Sequence, residues 1–525
     1  MKVILAGYNL DSSTIDGLSG LAREVSEGCG SSRDLSVLCE QANELADEPI
    51  TPETVATAYA RISRDPDPVD RLRKKARSDI AATRRSAQTI VFGMNHQSVA
   101  EHAVFNFDII DISRLAVESL QWHRLCSYTE KSQRYQKLQG DFVTPGGFTG
   151  EDRELFEKTI ALQNQLYHKS FPVLHEYQKE KNPEMMETRF GPRTVEGWAK
   201  EDARYCVSLA THSQMGFTTN ARNLEYIIRC ARASPLAEVR ELGDRFFSEA
   251  SKVAPSLILL TDPDEYKKQF NRPLVDDHFT KTDPNIRSKV SEVFSRHEDS
   301  TGEDLPGEGD CRLVSWDKDM DLKVTASVLA ARSGEDAGRC LAVARKIMDG
   351  PDDQCIIREL LRHSNPWESA TRELETGTFL FEVVLSAGCF GQMKRHRMST
   401  QLVQPYDPTL GYTIPPSVED TGLAEDFNKV YDASTEAYER LRENHPQDAQ
   451  YVLTNGHRRR MLLAASPREL YHMSRLREDP HAQWDIQNIT RSILKLARDA
   501  APRSMILAWG KDAFVEKKKE MFPES

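Results

Sequence analysis

Residues 96–101 read HQSVAE and residues 363–368 read HSNPWE. Upstream of them stand TAYARIS at 57–63 and TASVLAARS at 325–333. Downstream come VFNFDII at 104–110 and FLFEVVL at 379–385, apolar runs whose partial period-two alternation suits strands. Each run leads to a serine, Ser113 or Ser386, ten residues ahead of a His-Arg pair, His123-Arg124 or His396-Arg397. A serine at that place suits the N-cap of a short helix that carries the pair at its far end. These features recur in one order at an offset of ~270 residues, so the chain reads as two copies of one domain.

The 525 residues allow two to four domains at roughly 100 to 200 residues each. With 39% hydrophobic residues and no apolar run near the roughly 18 residues of a spanning helix, membrane insertion is excluded. The 81 acidic and 69 basic side chains leave a net charge of −12, which repels nucleic acid and anionic lipid on average. An anionic ligand therefore needs a local basic cluster. The opening MKVILAGYNLD lacks a cleavage site and reads as a buried first strand rather than a secretory signal. Nine cysteines without a Cys-x-x-Cys pair read as reduced thiols of a cytoplasmic protein.

Both copies turn helical further on. In 423–441, Leu423, Phe427, Val430, Tyr431, Ala437, Tyr438 and Leu441 share one helical face, and Ile486, Ile489, Ile493 and Leu496 do so in 485–500. These stripes are core packing. HEDSTGEDLPGEGD at 297–310 has linker composition.

Several chemistries are missing. The only Gly-Lys dipeptide, Gly510-Lys511, precedes Asp512, so there is no P-loop, and no G-x-G-x-x-G fingerprint is present. His96, Glu101, His102 and His123 lack the spacing of the common zinc sites, so no metal is expected. Cys126 lies beside a His-Arg pair, but the second copy has Ser399 there, which suits a small packing residue better than a nucleophile. The dense signal is QWHRLCSYTEKSQRY at 121–135 together with QMKRHR at 392–397. Arginines interspersed with Ser, Gln and His offer planar charged forks and neutral donors, which is what phosphate recognition needs.

The chain resembles the flavin-dependent thymidylate synthases, whose signature is R-H-R followed after seven residues by S-x-R. Arg395-His396-Arg397 supplies the first part from the second copy, and Ser132 and Arg134 in SYTEKSQRY supply the remainder from the first. His96 to His102 and His363 to Glu368 are altered forms of the family's H-x-S/T-P-x-E-H element. RLREDPHAQWDIQ at 475–487 is close to its L-R-x-x-x-x-A-Q-W-E-I stretch, and TTNARNLEYII at 218–228 to its N-A-R segment. The expected fold is α+β: two tandem copies of such a domain, each a sheet packed with long helices. They occupy 51–262 and 311–525, with an N-terminal extension at 1–50 and a linker at 263–310.

The departures are complementary. Trp122 and Ser119 stand in the first copy where the second has Arg395 and Gln392, and the first lacks a clear HAQW segment, with SPLAEV at 234–239. Val403, Pro405 and Asp407 stand in the second where the first has Glu130, Ser132 and Arg134, and Gln450 stands where it has Arg204. Each half keeps what the other has lost. The expectation is one composite dUMP site made of Glu130, Ser132, Arg134, Arg204, Gln392, Arg395 and Arg477. The reciprocal site, with Pro405, Asp407, Gln450, Ser119 and Trp122, is expected to be dead.

The resemblance implies that NADPH reduces FAD and that methylenetetrahydrofolate supplies the carbon placed on C5 of dUMP. Arg477, Arg395 and His396 carry the catalytic expectation, with Arg477 at the uracil carbonyls. FAD contacts are expected from Ser63, His96, Glu101, Asn220, Arg222, Ser333, His363, Glu368, Arg395, His396, Arg397 and His481. The alternatives are a degenerate FAD- or nucleotide-binding homologue, C5-methylation of another pyrimidine nucleotide, and a zinc hydrolase using the His/Glu elements. The partners expected are small molecules and a second copy of the chain, two chains together supplying four domains as a pseudo-tetramer.

Overall fold

The computed structural model describes residues 1–27, 50–274, 277–350, 356–479 and 482–523. Two compact units emerge: Met1–Lys131 with His212–Asp299, and Ser132–Thr211 with Ser300–Ser525. They do not follow the two sequence repeats, because residues 132–211 of the first repeat pack with the second. Among the described residues no helix is long and apolar enough to cross a membrane.

In the first unit β1 (Lys2–Tyr8), β2 (Val104–Ser113), β3 (Ser127–Glu130) and β4 (His212–Asn220) form an antiparallel sheet of order β1-β2-β4-β3. The apolar run read at 104–110 is the central strand, and Phe105, Phe107 and Ile109 are buried on one face as alternation requires. Phe107 meets Phe217 of β4 and Phe246 of the helix Ala237–Val253 at centroid distances of 6.2 and 4.9 Å. The N-terminal segment is a strand, as read, but not a buried one. It lies at the sheet edge, with Val3 inside and Ile4 47% exposed.

In the second unit β5 (Gly307–Glu308), β6 (Cys311–Trp316), β7 (Phe379–Ser386), β8 (Thr400–Tyr406) and β9 (Arg458–Ala465) are ordered β5-β6-β7-β9-β8. Apart from β5, this is the strand order of the first unit. Lys2–Tyr8 thus holds the place in its sheet that Cys311–Trp316 holds in the other. Both of these strands carry a register shift against their neighbour, at Leu5/Gly7 and at Leu313/Ser315. Between the repeats, 263–270 and 277–296 are helical.

Ser113 and Ser386 are N-caps. Ser113 Oγ accepts from the Ala116 amide and Ser386 Oγ from the Cys389 amide, each at 2.9 Å, at the start of Arg114–Gln121 and Ala387–Met393. Each cap is worth about 1 kcal/mol. Each serine also donates to a carboxylate at 2.6 Å, Ser113 to the half-buried Glu238 and Ser386 to the buried Asp485. That shared contact aligns SPLAEV with HAQWDIQ: Glu238 answers to Asp485, and Leu236 stands where the second copy has Gln483.

The second unit holds helical arms from both repeats. Gly150–Lys181 packs against both Gly191–Ala203 and Ala424–Asn444, and Tyr167, Phe171, Leu174, Phe427, Val430 and Tyr431 are buried in one cluster. Large side chains of this kind each contribute about 1.5–3 kcal/mol of transfer free energy. The arms end in backbone segments related by a local pseudo-twofold. The Gly456 amide donates to the Tyr205 carbonyl and the Ala210 amide to that of Tyr451; the Asn455 amide donates to Val207 and the Leu209 amide to Leu453, at 2.8–3.2 Å. Tyr205, fully buried, donates from its hydroxyl to Asp485 at 2.8 Å. A methyl group on Gly388 would lie 2.9 Å from the Tyr205 ring. Gly388→Ala is therefore expected to lower unfolding free energy by about 1–3 kcal/mol, read as an earlier urea midpoint at unchanged slope.

Candidate functional site

Gln392 lies in the last turn of the short helix that Ser386 caps and is 5% exposed. Its amide is the meeting point of both repeats. Gln392 Oε1 accepts from Arg134 Nη1 and from Arg477 Nη1, both at 3.4 Å, while Nε2 donates to Gln483 Oε1 at 2.8 Å. Gln483 in turn donates to the Tyr205 hydroxyl at 2.6 Å. Two guanidiniums thus lean on one neutral oxygen at the outer limit of a hydrogen bond, and such bonds are easily exchanged for stronger ones.

Arg477 closes the helix Pro467–Arg477. Burial first, and then the neighbouring charges of Arg395 and Arg134, push its guanidinium down to about 10. It stays a cation at neutral pH, in a cluster of like charge that a dianion would relieve. Its Nε donates to His396 Nε2 at 2.9 Å, and Glu469 takes the other ring nitrogen of His396 at 3.1 Å. That pairing assigns the Nδ1–H tautomer. Burial and the Arg477 charge hold His396 well below the usual histidine range, so it is neutral.

Arg134 Nε donates to Glu201 Oε2 at 2.6 Å, and the Arg134 amide donates to Ser132 Oγ at 3.2 Å. Arg204 is buried, with its Nε on the Glu201 carbonyl and its own carbonyl accepting from Asn455 Nδ2 at 3.0 Å. Ser132, Arg134, Arg204, Gln392, Arg395 and Arg477, drawn from both repeats, thus share the second unit. Glu130 belongs to the first, where Gln121 Nε2 donates to it at 3.0 Å.

The residues expected at the flavin divide as well. In the first unit Arg222 and Glu101 form an ion pair at 2.6 Å, Asn220 caps the helix Ala221–Arg232, His96 precedes the turn Gln97–His102, and Ser63 lies in an exposed turn. In the second, Ser333 accepts the Glu335 amide at 3.2 Å and Glu368 that of Asn365 at 2.9 Å, while His363 is exposed and Arg397 half-buried. His481 lies outside the described residues. A cavity of about 390 Å³ is lined by Trp367, Glu368, Arg468, His472, Arg475 and neighbours. Arg475 is 6% exposed, and its Nε and Nη2 are buried without hydrogen-bond partners among the described residues.

The counterpart of the cluster in the first unit is apolar. His123 contacts Tyr226 as His396 contacts His472, which places Ala231 where the second copy has Arg477. Trp122 stacks on His123 at 4.4 Å, and burial alone pushes His123 down to about 4. Asp407 spends its carboxylate on the Thr409 amide and hydroxyl, and Gln450 accepts the Tyr406 amide. Cys126 is buried against Thr219 and the Arg124 carbonyl, a packing role. Among the described residues no group of three or more His, Cys, Asp and Glu side chains is placed to hold a metal ion.

Sequence reading missed Glu201, Gln483, Tyr205, Glu469 and Arg475. A faint signal existed for two. Glu201 stands one helical turn before Arg204, and S-P-R-E at 466–469 has capping-box spacing, of which the Glu469 amide to Ser466 Oγ half forms at 3.4 Å.

The profile of the family described as thymidylate synthase complementing protein matches this chain twice, over residues 44–256 and 313–503. A UPF0159 protein of Chlamydia muridarum is 27% identical over 415 residues, covering 76% of this chain and 75% of that protein. A flavin-dependent thymidylate synthase of Clostridium tetani is 29% identical over 218 residues, covering 40% of this chain and 83% of that protein. Among solved structures, a flavin-dependent thymidylate synthase of Helicobacter pylori complexed with FAD and dUMP is 16% identical with a TM-score of 0.28, covering 49% of this chain and 98% of that one.

Since the unfolded chain protonates His396 below about pH 6.5 and the folded chain does not, folding stability contributed by this site is present above that pH and falls as pH drops below it. The urea midpoint of the wild type is expected to fall more between pH 7 and 5 than that of His396→Gln.

Proposed function

The chain belongs to the thymidylate synthase complementing protein family, matched in both its halves, and from that premise we propose that it converts dUMP to dTMP by FAD- and NADPH-dependent reductive methylation with methylenetetrahydrofolate. The observation that carries the reading is the Arg134–Gln392–Arg477 constellation: cations from both repeats converge on one neutral amide. A nucleotide suits them, since its phosphate would replace the long Arg134 contact to Gln392 with charge-assisted bonds while its uracil carbonyls take up the Arg477 contact. Ser132 and Arg204 complete the proposed phosphate pocket within the second unit. The composite of the two repeats is the working site, and the reciprocal one is inactive.

The residues present fit a flavin nucleotide. The buried Arg475 Nε and Nη2, unpartnered among the described residues, line the cavity with Glu368 and Arg468 and offer donors to phosphate oxygens, and Trp367 offers an exposed ring face. Ser333, His363, Arg395, His396 and Arg397 extend that proposed contact in the second unit; Ser63, His96, Glu101, Asn220 and Arg222 are proposed, separately, as the flavin contacts of the first unit. FAD, when bound, supplies the redox step that turns the transferred carbon into a methyl group.

The chain's own part is electrostatic. Neutral His396, fixed by Glu469, accepts from Arg477 Nε and so orients that guanidinium without adding a charge. Arg477 then faces the uracil carbonyls, where a fixed cation stabilises negative charge that develops on the ring. No protein nucleophile is required, in keeping with the buried, packed Cys126. Two chains assemble as a homodimer in this reading, which light scattering checks.

The test is anaerobic incubation of the FAD-supplemented protein with NADPH, methylenetetrahydrofolate and dUMP, followed by mass spectrometry for dTMP. Product is expected, and Arg134→Ala and Arg477→Ala should each weaken dUMP binding about 10- to 150-fold, the loss of one charge-assisted pair. Retained flavin without product from dUMP points instead to a binding protein or to another pyrimidine nucleotide.

A further inference from the structure

Glu201 carries the carboxylate that touches the cationic cluster, and none of the chemistry above uses it. It is 3% exposed and accepts from Arg134 Nε at 2.6 Å. The charged groups facing it are Arg134 from the segment after β3, Arg204 from the turn that ends its own helix, and Asp202 beside it. Asp202 is itself held by the Ser417 hydroxyl at 2.6 Å and the Trp484 indole at 2.8 Å. Burial outweighs both guanidiniums and pushes the Glu201 carboxyl up to about 7. Glu201 also lines a cavity of about 330 Å³ with Tyr177, Lys181, Trp198 and Gln483. That opening gives it a route for proton exchange.

We propose that Glu201 is a proton-coupled positioning residue, which aims the Arg134 guanidinium at the nucleotide phosphate and takes up a proton when that phosphate arrives. The inference rests on the dUMP reading and deepens it. A phosphate dianion drawn to Arg134 becomes the neighbour of a carboxylate on the same guanidinium, and two anions sharing one cation repel unless one is neutralised. The carboxyl, already poised near neutrality, is the group that yields. Linkage is reciprocal, so protonation of Glu201 tightens nucleotide binding by the factor by which the nucleotide favours protonation. Affinity should therefore fall as pH rises through 7 towards 8.5. The phosphate's own second ionisation, with a pKa near 6, works in the opposite sense and is complete over that range.

The experiment is calorimetric titration of the full-length, FAD-supplemented protein with dUMP at pH 7.5 in buffers of different ionisation heat. Uptake on the order of half a proton per dUMP is expected for the wild type. Glu201→Gln should lose the uptake and bind with an affinity flat between pH 7 and 8.5, whereas Glu201→Asp should keep uptake. Wild-type binding without proton uptake overturns the inference and leaves the dUMP reading intact, as does unchanged uptake in Glu201→Gln. Absence of any dUMP binding removes that reading, and this inference with it. If Glu201→Gln does not fold, the wild-type uptake and its pH dependence decide the matter alone.

Discussion

The backbone pairing of 205–210 with 451–456 is the constraint on which the second unit depends. These are short loop segments, and buried amides there must find partners or lose about 1–3 kcal/mol each. They find them in each other, across the two repeats. The pairing fixes Tyr205 beneath Gly388 and against Asp485, and Asp485 holds the serine that caps the Gln392 helix. From one reciprocal set of amide bonds the chain of contacts runs unbroken to the amide on which both guanidiniums rest.

The cluster is a study in where charge is withheld. Evenly paired ions would leave little appetite for a ligand. Here the carboxylates are kept at the rim. Glu469 serves a neutral histidine, Glu201 holds one arginine from the side, and Asp485 is spent on hydroxyls. Gln392 and Gln483 fill the centre with dipoles that cannot cancel a cation. The first unit runs the same backbone without this economy: Ala231, Leu236 and Trp122 occupy the matching places, and the result is an apolar patch around a neutral histidine.

Much of this was readable in the sequence, and the divide follows physics. The strands at 104 and 379, the serine caps and the helical stripes are local properties, set by periodicity and by a hydroxyl near free amides. Arg134, Gln392 and Arg477 were legible as a set because their losses in one copy complement those in the other. Glu201 and Arg475 were not, since a carboxylate or guanidinium announces nothing until burial removes its water. The relation of β1 to β6 was hidden because an edge strand that buries one side chain keeps little apolar pattern. The compact units escaped the reading for a different reason. Repeats record descent, whereas packing records which apolar face found a partner, and the arm at 132–211 found its partner in the other copy.

Joining both arms in one polypeptide has a consequence for symmetry. In an assembly of identical chains every substitution is printed on all copies of a surface at once, so a site built between copies can change only where both of its halves tolerate the change. A fused pair escapes that rule. Trp122 and Arg395 stand at matching places of the two repeats and differ, and so do Leu236 and Gln483. The covalent link thereby turns a symmetric interface into two independent pages, of which one can be kept for chemistry and the other written over for packing.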